Sequence, residues 1–245
     1  MTLLFRTFAF LAIIAGIVTL VSATRSNRTL TGEVQQLEAE LGRMSIDDES
    51  KIHIVAIENP EIPPEVVSHV DQVWQFRCYL PAGYDFRRFS GGGRVSDQGV
   101  FFRGGFGSGW SSPPTEPVHQ ILTISLCRSG ESVECFTTFG GSSSTTSWNA
   151  LSAGKTIRGD WVFETLAIPG GPAQSFDQDT ILPVLRVYDP NTAEEQQVNT
   201  QSITTYQGGL ILFCPQSLAA EFEMLRKGET PDGSKALRIA EGQRQ

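Results

Sequence analysis

The chain has 245 residues, 40% of them hydrophobic, and a formal net charge of -8 with no cluster of basic residues. That balance argues against nucleic-acid partners, because affinity for phosphates draws largely on Lys and Arg. The 24 glycines and 13 prolines fall between short apolar runs, which points to a turn-rich β protein rather than a helical one.

The run from Thr7 to Thr24 is uncharged and lies between Arg6 and Arg25. As a helix rising about 1.5 Å per residue it would span roughly 27 Å, close to the hydrocarbon thickness of a bilayer. This predicts a transmembrane anchor over residues 1–28, with the lipid bilayer as partner of residues 7–24. A signal peptide cleaved at Ala23, after the small residues Val21 and Ser22, is the competing reading. A buried core helix ranks third, since the run is apolar all round.

Leu30, Val34, Leu37, Leu41 and Met44 are spaced four, three, four and three apart. That spacing puts them on one stripe of a helix and predicts a short coiled-coil-like stalk over residues 29–45. Carried backwards, the seam passes through Ala23, so cleavage there would cut it, and retention of the anchor is favoured. In a parallel homodimer Glu33 would face Glu38, a repulsion of a few tenths of a kcal/mol. A heteromeric partner helix on the stalk, a homodimer and a lone stalk all stay open. Basic residues on the two flanks of the apolar run are balanced, so charge does not set orientation. The expectation that the C-terminal domain lies outside the cytoplasmic membrane rests on the signal-like N-terminus and on cysteines set in strands.

Further along, Lys51 to Ile57 is apolar and β-branched and predicts a strand halted at Asn59-Pro60. Val73 to Leu80 alternates Trp74, Phe76, Cys78 and Leu80 with Gln75, Arg77 and Tyr79, the period of a half-buried strand. Val100 to Arg103 predicts a short strand, and the glycine-rich stretch to Trp110 a loop. Val118 to Cys127 and Val133 to Phe139 predict a hairpin. With Gly130 to Ser132 as its loop, Cys127 lies opposite Cys135 and Leu126 opposite Phe136. Gly140-Gly141 and the serine-threonine run to Ser147 predict a polar loop.

Trp161 to Ile168 and Ile181 to Tyr188 predict strands, with Pro183 marking an edge or a late start for the second. A polar loop is predicted from Asp189 to Asn199, and a central strand from Leu210 to Cys214. Ser217 is the predicted N-cap of an amphipathic helix with Leu218, Phe222 and Leu225 on one face, stopped by Gly228. Glu229 to Gln245, mixed in charge and poor in aromatics, reads as a mobile tail. The expected fold class is mainly β: a sandwich or partly open barrel of about eight strands over residues 46–216, preceded by the anchor and stalk and followed by the helix and tail of residues 217–245.

Site chemistry is sparse. No GxSxG elbow, HExxH helix, CxxC pair or paired-carboxylate motif occurs, so no catalytic residue, metal or cofactor is expected. The four cysteines predict either two disulfides, Cys127 with Cys135 and Cys78 with Cys214, or four reduced core residues. His69 and Asp71, two apart, offer the one spacing suited to a general base. Phe102, Phe106, Trp110 and Trp148 lie in or beside glycine-rich stretches and are the candidate binding surface, core filling being the competing reading.

The sequence Gly42-Arg43-Met44-Ser45-Ile46-Asp47-Asp48, the apolar run and the strand from Trp74 to Gly83 resemble a group of uncharacterised single-span bacterial membrane proteins with a short helical stalk and a β-rich domain. The resemblance covers mainly residues 1 to 90, brings no function with it and supports retention of the N-terminal helix. The expected function is a non-enzymatic, membrane-anchored binding or assembly module. A secreted carbohydrate- or surface-binding domain released at Ala23 is the alternative, and a hydrolase using His69 and Asp71 the third reading.

Overall fold

The computed structural model describes residues 44, 46–60, 62, 70–110, 112–129, 132–148, 161–198, 201–230 and 237–244. The first strands are β1 (Ile52–Ala56), β2 (Gln72–Leu80), β3 (Phe86–Ser96), β4 (Phe102–Trp110), β5 (Val118–Ser129), β6 (Ser132–Phe139) and β7 (Ser142–Trp148). They are followed by β8 (Val162–Thr165), β9 (Gln174–Phe176), β10 (Thr180–Val198) and β11 (Gln201–Pro215). Helix α1 (Ala219–Leu225) and the two-residue strands β12 (Arg238–Ile239) and β13 (Gln243–Arg244) complete the order.

Two sheets result, one in the order β7-β6-β5-β2-β1-β9 and the other β13-β8-β10-β11-β3-β4, with β12 pairing β10. All pairings are antiparallel except β10 with β12. The period-two pattern of β2 sends Trp74, Phe76 and Cys78 inwards, where with Ile54, Leu122 and Ile124 they meet Phe86, Val184, Ile211 and Phe213 of the second sheet. The second sheet is buried on both faces at its centre. Its outer side carries Phe89, Phe102, Leu212 and Cys214, which Leu218 and Phe222 of the C-terminal helix region cover.

Glycine permits the closest approach in this core. A Cβ at Gly92 or Gly209 would lie 2.5 or 2.4 Å from atoms of Trp148, which reaches across from β7, and one at Gly93 would lie 2.2 Å from the carbonyl oxygen of Arg103. The inner face of the second sheet is thus hollowed so that the indole fits, and Trp148 is 0% exposed.

The expected fold class is corrected in two respects: the described residues form thirteen strands rather than about eight, and the expected spanning helix does not occur among those residues. The domain is two antiparallel sheets with a C-terminal helix, and among the described residues no helix is long and apolar enough to cross a membrane. Residues 1–43, with the anchor over 1–28 and stalk positions Leu30, Val34, Leu37 and Leu41, lie outside the described residues. Met44 is described, half-buried and beside Val55 and Gly170.

Three stretches predicted as loops are strands. Residues 103–110 belong to β4, 142–147 to β7 and 189–198 to β10. In the last, Asp189 to Glu194 forms a bulge in the β10–β11 ladder, held by the Asp189 carboxylate, which accepts from the Asn191 amide at 2.9 Å. Pro183 marks no edge, since β10 runs between β8 and β11; the proline sits at a register shift, where a missing donor is tolerated. Ser217 does not cap the helix, which follows a 3-10 turn over Gln216–Leu218 without a side-chain cap. Gly228 does end it, with φ +80. The predicted tail is partly built into the second sheet: Arg244 bonds Glu164 at 3.0 Å, and Arg238 pairs with Asp177.

Candidate functional site

The site is built from the corner where β2 ends, β3 begins and the β6–β7 hairpin turns. Phe139 pairs with Ser142, so Gly140 and Gly141 form a two-residue turn with φ +57 and +72, the conformation such hairpins require. The Ser142 hydroxyl closes it by donating to the Phe139 carbonyl at 2.8 Å. On β3, alternation places Phe86 and Arg88 on the inner face and Phe89 on the outer. Arg88 therefore enters the space between the sheets, opposite Gly109 of β4.

A cleft of about 280 Å3 opens there, with apolar walls from Leu80, Phe86, Val118 and Phe139 and polar groups from Arg88 and Gln120. Arg88 donates from Nη2 to the Ser144 hydroxyl at 3.2 Å, and Ser144 in turn bonds the Thr137 hydroxyl at 2.9 Å. Burial pushes the Arg88 guanidinium below its ordinary value, opposed by the nearby Cys135. Among the described residues no carboxylate pairs with it. In the same domain Arg87 pairs with Glu223, Arg94 with Glu194 and Arg186 with Glu164. Arg88 is thus a half-buried cation facing neutral hydroxyls and an apolar wall, an arrangement whose chemistry suits an anion.

A second recess, of about 460 Å3, lies on the outer face beside Glu164, Arg186 and Arg244. Its buried groups, Glu164 and Arg186, satisfy each other. Arg186 donates to Glu164 at 2.8 Å, to the Asp97 carbonyl at 2.9 Å and to the Gly99 carbonyl at 2.5 Å. Glu164 also accepts from Tyr188 at 3.2 Å and Arg244 at 3.0 Å. This network clamps the β3–β4 connection and the C-terminal strands, and leaves little polar capacity for a ligand.

The expected binding aromatics do not form one surface. Phe102 is 1% exposed and Trp148 0%, so both fill the core. Phe106 is 38% exposed, stacked on Phe89 at 4.9 Å, with the Arg226 guanidinium 4.7 Å from its ring centre. Trp110 ends β4 opposite Arg87. Phe102 and Trp148 therefore offer no ring face to a ligand, and Phe106 is the exposed one of the three whose burial is described.

The expected disulfides are also corrected. All four cysteines are free. Ser129 pairs with Ser132, so the hairpin connection is one residue shorter than predicted, and Cys135 faces Leu126 while Cys127 faces Glu134. One step of register sends the two thiols to opposite faces. Cys78 packs in the inner core and Cys214 on the outer face of the second sheet, which separates them.

Asp71 accepts from the Arg128 amide at 2.8 Å, an end-of-strand contact, and His69 lies outside the described residues. No group of three or more His, Cys, Asp or Glu able to hold a metal occurs among the described residues. Sequence reasoning missed Arg88 because it left Phe86 to Phe89 outside any strand. Extending the alternation from Phe86 would have placed Arg88 on the face that Phe86 buries. Comparison with known proteins finds no matching family, no matching curated protein and no matching solved structure.

Proposed function

We propose that the domain is a non-enzymatic binding module whose cleft takes a small apolar group ending in a carboxylate. The observation that carries this reading is Arg88, half-buried without a carboxylate partner among the described residues, at the wall of an apolar cleft of about 280 Å3. Holding such a charge partly desolvated costs free energy in the unliganded domain, and an incoming anion offsets that cost. A charge-assisted hydrogen bond contributes about 1.5–3 kcal/mol, roughly 10- to 150-fold in affinity. The volume lies at the lower end of small-molecule sites, roughly 300–1,000 Å3, and suits a branched group of a few carbons rather than a nucleotide.

The test is a titration of the full chain with 4-methylpentanoate, followed by NMR at the Arg88 Nε–Hε group and the Gln120 side-chain amide. Saturable shifts at both are expected. Shifts confined to the surface, or none at 10 mM, would refute the reading. Placement of the domain outside the cytoplasmic membrane belongs to the same proposal, supported by the signal-like N-terminus. Resistance of the β domain to protease added to intact spheroplasts would overturn it.

A further inference from the structure

The cleft does not end blindly. Gly109 lines it, and Gly109 belongs to β4, the free edge of the second sheet, which pairs with β3 and with no other strand among the described residues. The β3–β4 register runs without a break from Arg87–Trp110 to Val95–Phe102. The edge is covered at its start, where the Phe102 N–H donates to the Arg226 carbonyl at 2.8 Å; beyond that point a regular edge exposes N–H and C=O groups at alternate residues, and proteins usually blunt such edges with proline, lysine, a bulge or a covering segment. Residues 102–110 contain no proline, lysine or acidic residue, and Arg103 is their one charge. From Arg103 to Gly109 the strand is exposed throughout.

The glycines of this region differ in what an added Cβ would meet, Gly107 being intermediate with Thr146 Oγ1 at 3.3 Å. Those at 91, 92, 93, 104, 208 and 209 are required by the fold, since a Cβ at any of them would come within 2.2 to 2.5 Å of a neighbour. Gly105 has nothing within 4 Å of its would-be Cβ, Gly109 only Arg88 Nη2 at 3.9 Å, and neither has a positive φ. Glycine disfavours a strand, and where packing does not demand it, it leaves room for another backbone to approach. Gly109 is thus an unrequired glycine at the point where the edge meets the cation.

We infer that the cleft takes the C-terminal residue of a partner polypeptide, whose preceding residues add to β4 as a parallel strand. This rests on the cleft being a carboxylate site. The cleft accommodates one branched side chain with its carboxylate on Arg88, and β4 runs from Phe102 towards the cleft at Gly109, so a strand delivering its C-terminus there runs in the same direction. Main-chain bonds along the edge supply affinity and the pocket supplies selection, as in other strand-addition complexes. On a chain of net charge -8, Arg88 is the cation at the Gly109 end of β4, where the carboxylate of a parallel strand would arrive.

The test uses the full chain and an acetylated octapeptide of alternating threonine and valine that ends in a free valine carboxylate. Its amidated twin and eight versions with one N-methyl group each are compared by calorimetry. The acid peptide is expected to bind at least tenfold more tightly than 4-methylpentanoate and tenfold more tightly than the amide. N-methylation is expected to weaken it tenfold at every second position, those whose N–H faces β4. A peptide no tighter than 4-methylpentanoate, or a flat N-methyl profile, refutes strand addition while leaving the carboxylate cleft standing. If neither ligand binds, the cleft reading has failed and the inference with it. Dimerisation of the chain through β4 that excludes the peptide would overturn it by giving the edge to a second copy.

Discussion

Gly209→Ala is the sharpest perturbation of the core. The new methyl group would lie 2.4 Å from Cε3 and Cζ3 of Trp148 and 2.6 Å from Cδ2, about 1 Å inside ordinary contact. The indole cannot retreat, because it is fully buried and its own Cα and Cβ already lie over Gly92. Overpacking of this kind costs roughly 1–3 kcal/mol, against which alanine in place of glycine recovers about 0.4–1 kcal/mol by narrowing the unfolded ensemble. A net loss of about 1–1.5 kcal/mol follows. Gly105→Ala is the control: with open space around the added carbon, it should stabilise by about 0.5–1 kcal/mol. Urea denaturation of the full chain, followed by far-UV circular dichroism, measures both, with an unchanged slope required. In a Trp148→Leu background the cost of Gly209→Ala should fall below about 0.5 kcal/mol, because the colliding ring is gone. Additivity of the two substitutions, or a Gly209→Ala variant as stable as the parent, would refute the account of this core.

Other consequences follow from the buried groups. Native alkylation should label Cys127 quickly and the other three thiols slowly, while alkylation in denaturant without reductant should give four adducts by intact mass; fewer than four would reveal a disulfide. Burial raises the thiols of Cys78, Cys135 and Cys214 from 9.0 to about 12. Because the folded values are raised, this stabilisation is complete below pH 9 and is lost as pH rises towards 12. At about 0.8 kcal/mol per thiol by pH 9.5, the loss from pH 7 is about 2–3 kcal/mol, and denaturation of a Cys135→Ala variant should show about a third less. Glu164→Ala leaves Arg186 buried without its partner and should cost about 3–5 kcal/mol, whereas Arg244→Ala, at the exposed end of the same network, should cost under about 1 kcal/mol; equal costs in thermal or urea unfolding would contradict the clamp.

Strands driven by apolar alternation were legible. The pattern from Val73 to Leu80 predicts β2, and the runs of Lys51 to Ile57, Val133 to Phe139 and Leu210 to Cys214 locate β1, β6 and part of β11. The strands that sequence hides are those with little side chain to read. Gly91-Gly92-Gly93 in β3 and Gly104 to Gly109 in β4 have no hydrophobic period: Phe102 fills the space at Gly91, Trp148 that at Gly92, and the backbones of β3 and β4 press on each other at Gly93 and Gly104, while Gly105 faces open space. The serine-threonine strand β7 is likewise fixed by its glycine turn and by the burial of Trp148 at its end. The hairpin of β5 and β6 shows how little separates a right element from a wrong site: one residue of loop length turns a predicted disulfide into two thiols on opposite faces. Arg88 stayed hidden for the same reason as β3, since a single arginine gains meaning only once its neighbour Phe86 is known to face inwards.

The central claim is most directly tested by the affinity ratio of 4-methylpentanoate to 4-methylpentanamide, measured by calorimetry on the parent chain and on Arg88→Gln. The two ligands share shape and differ in charge. A ratio of at least tenfold in the parent, falling to about one in the variant, is the predicted result. An unchanged ratio in Arg88→Gln, or equal affinities in the parent, would contradict the assignment of Arg88 as the carboxylate-binding group.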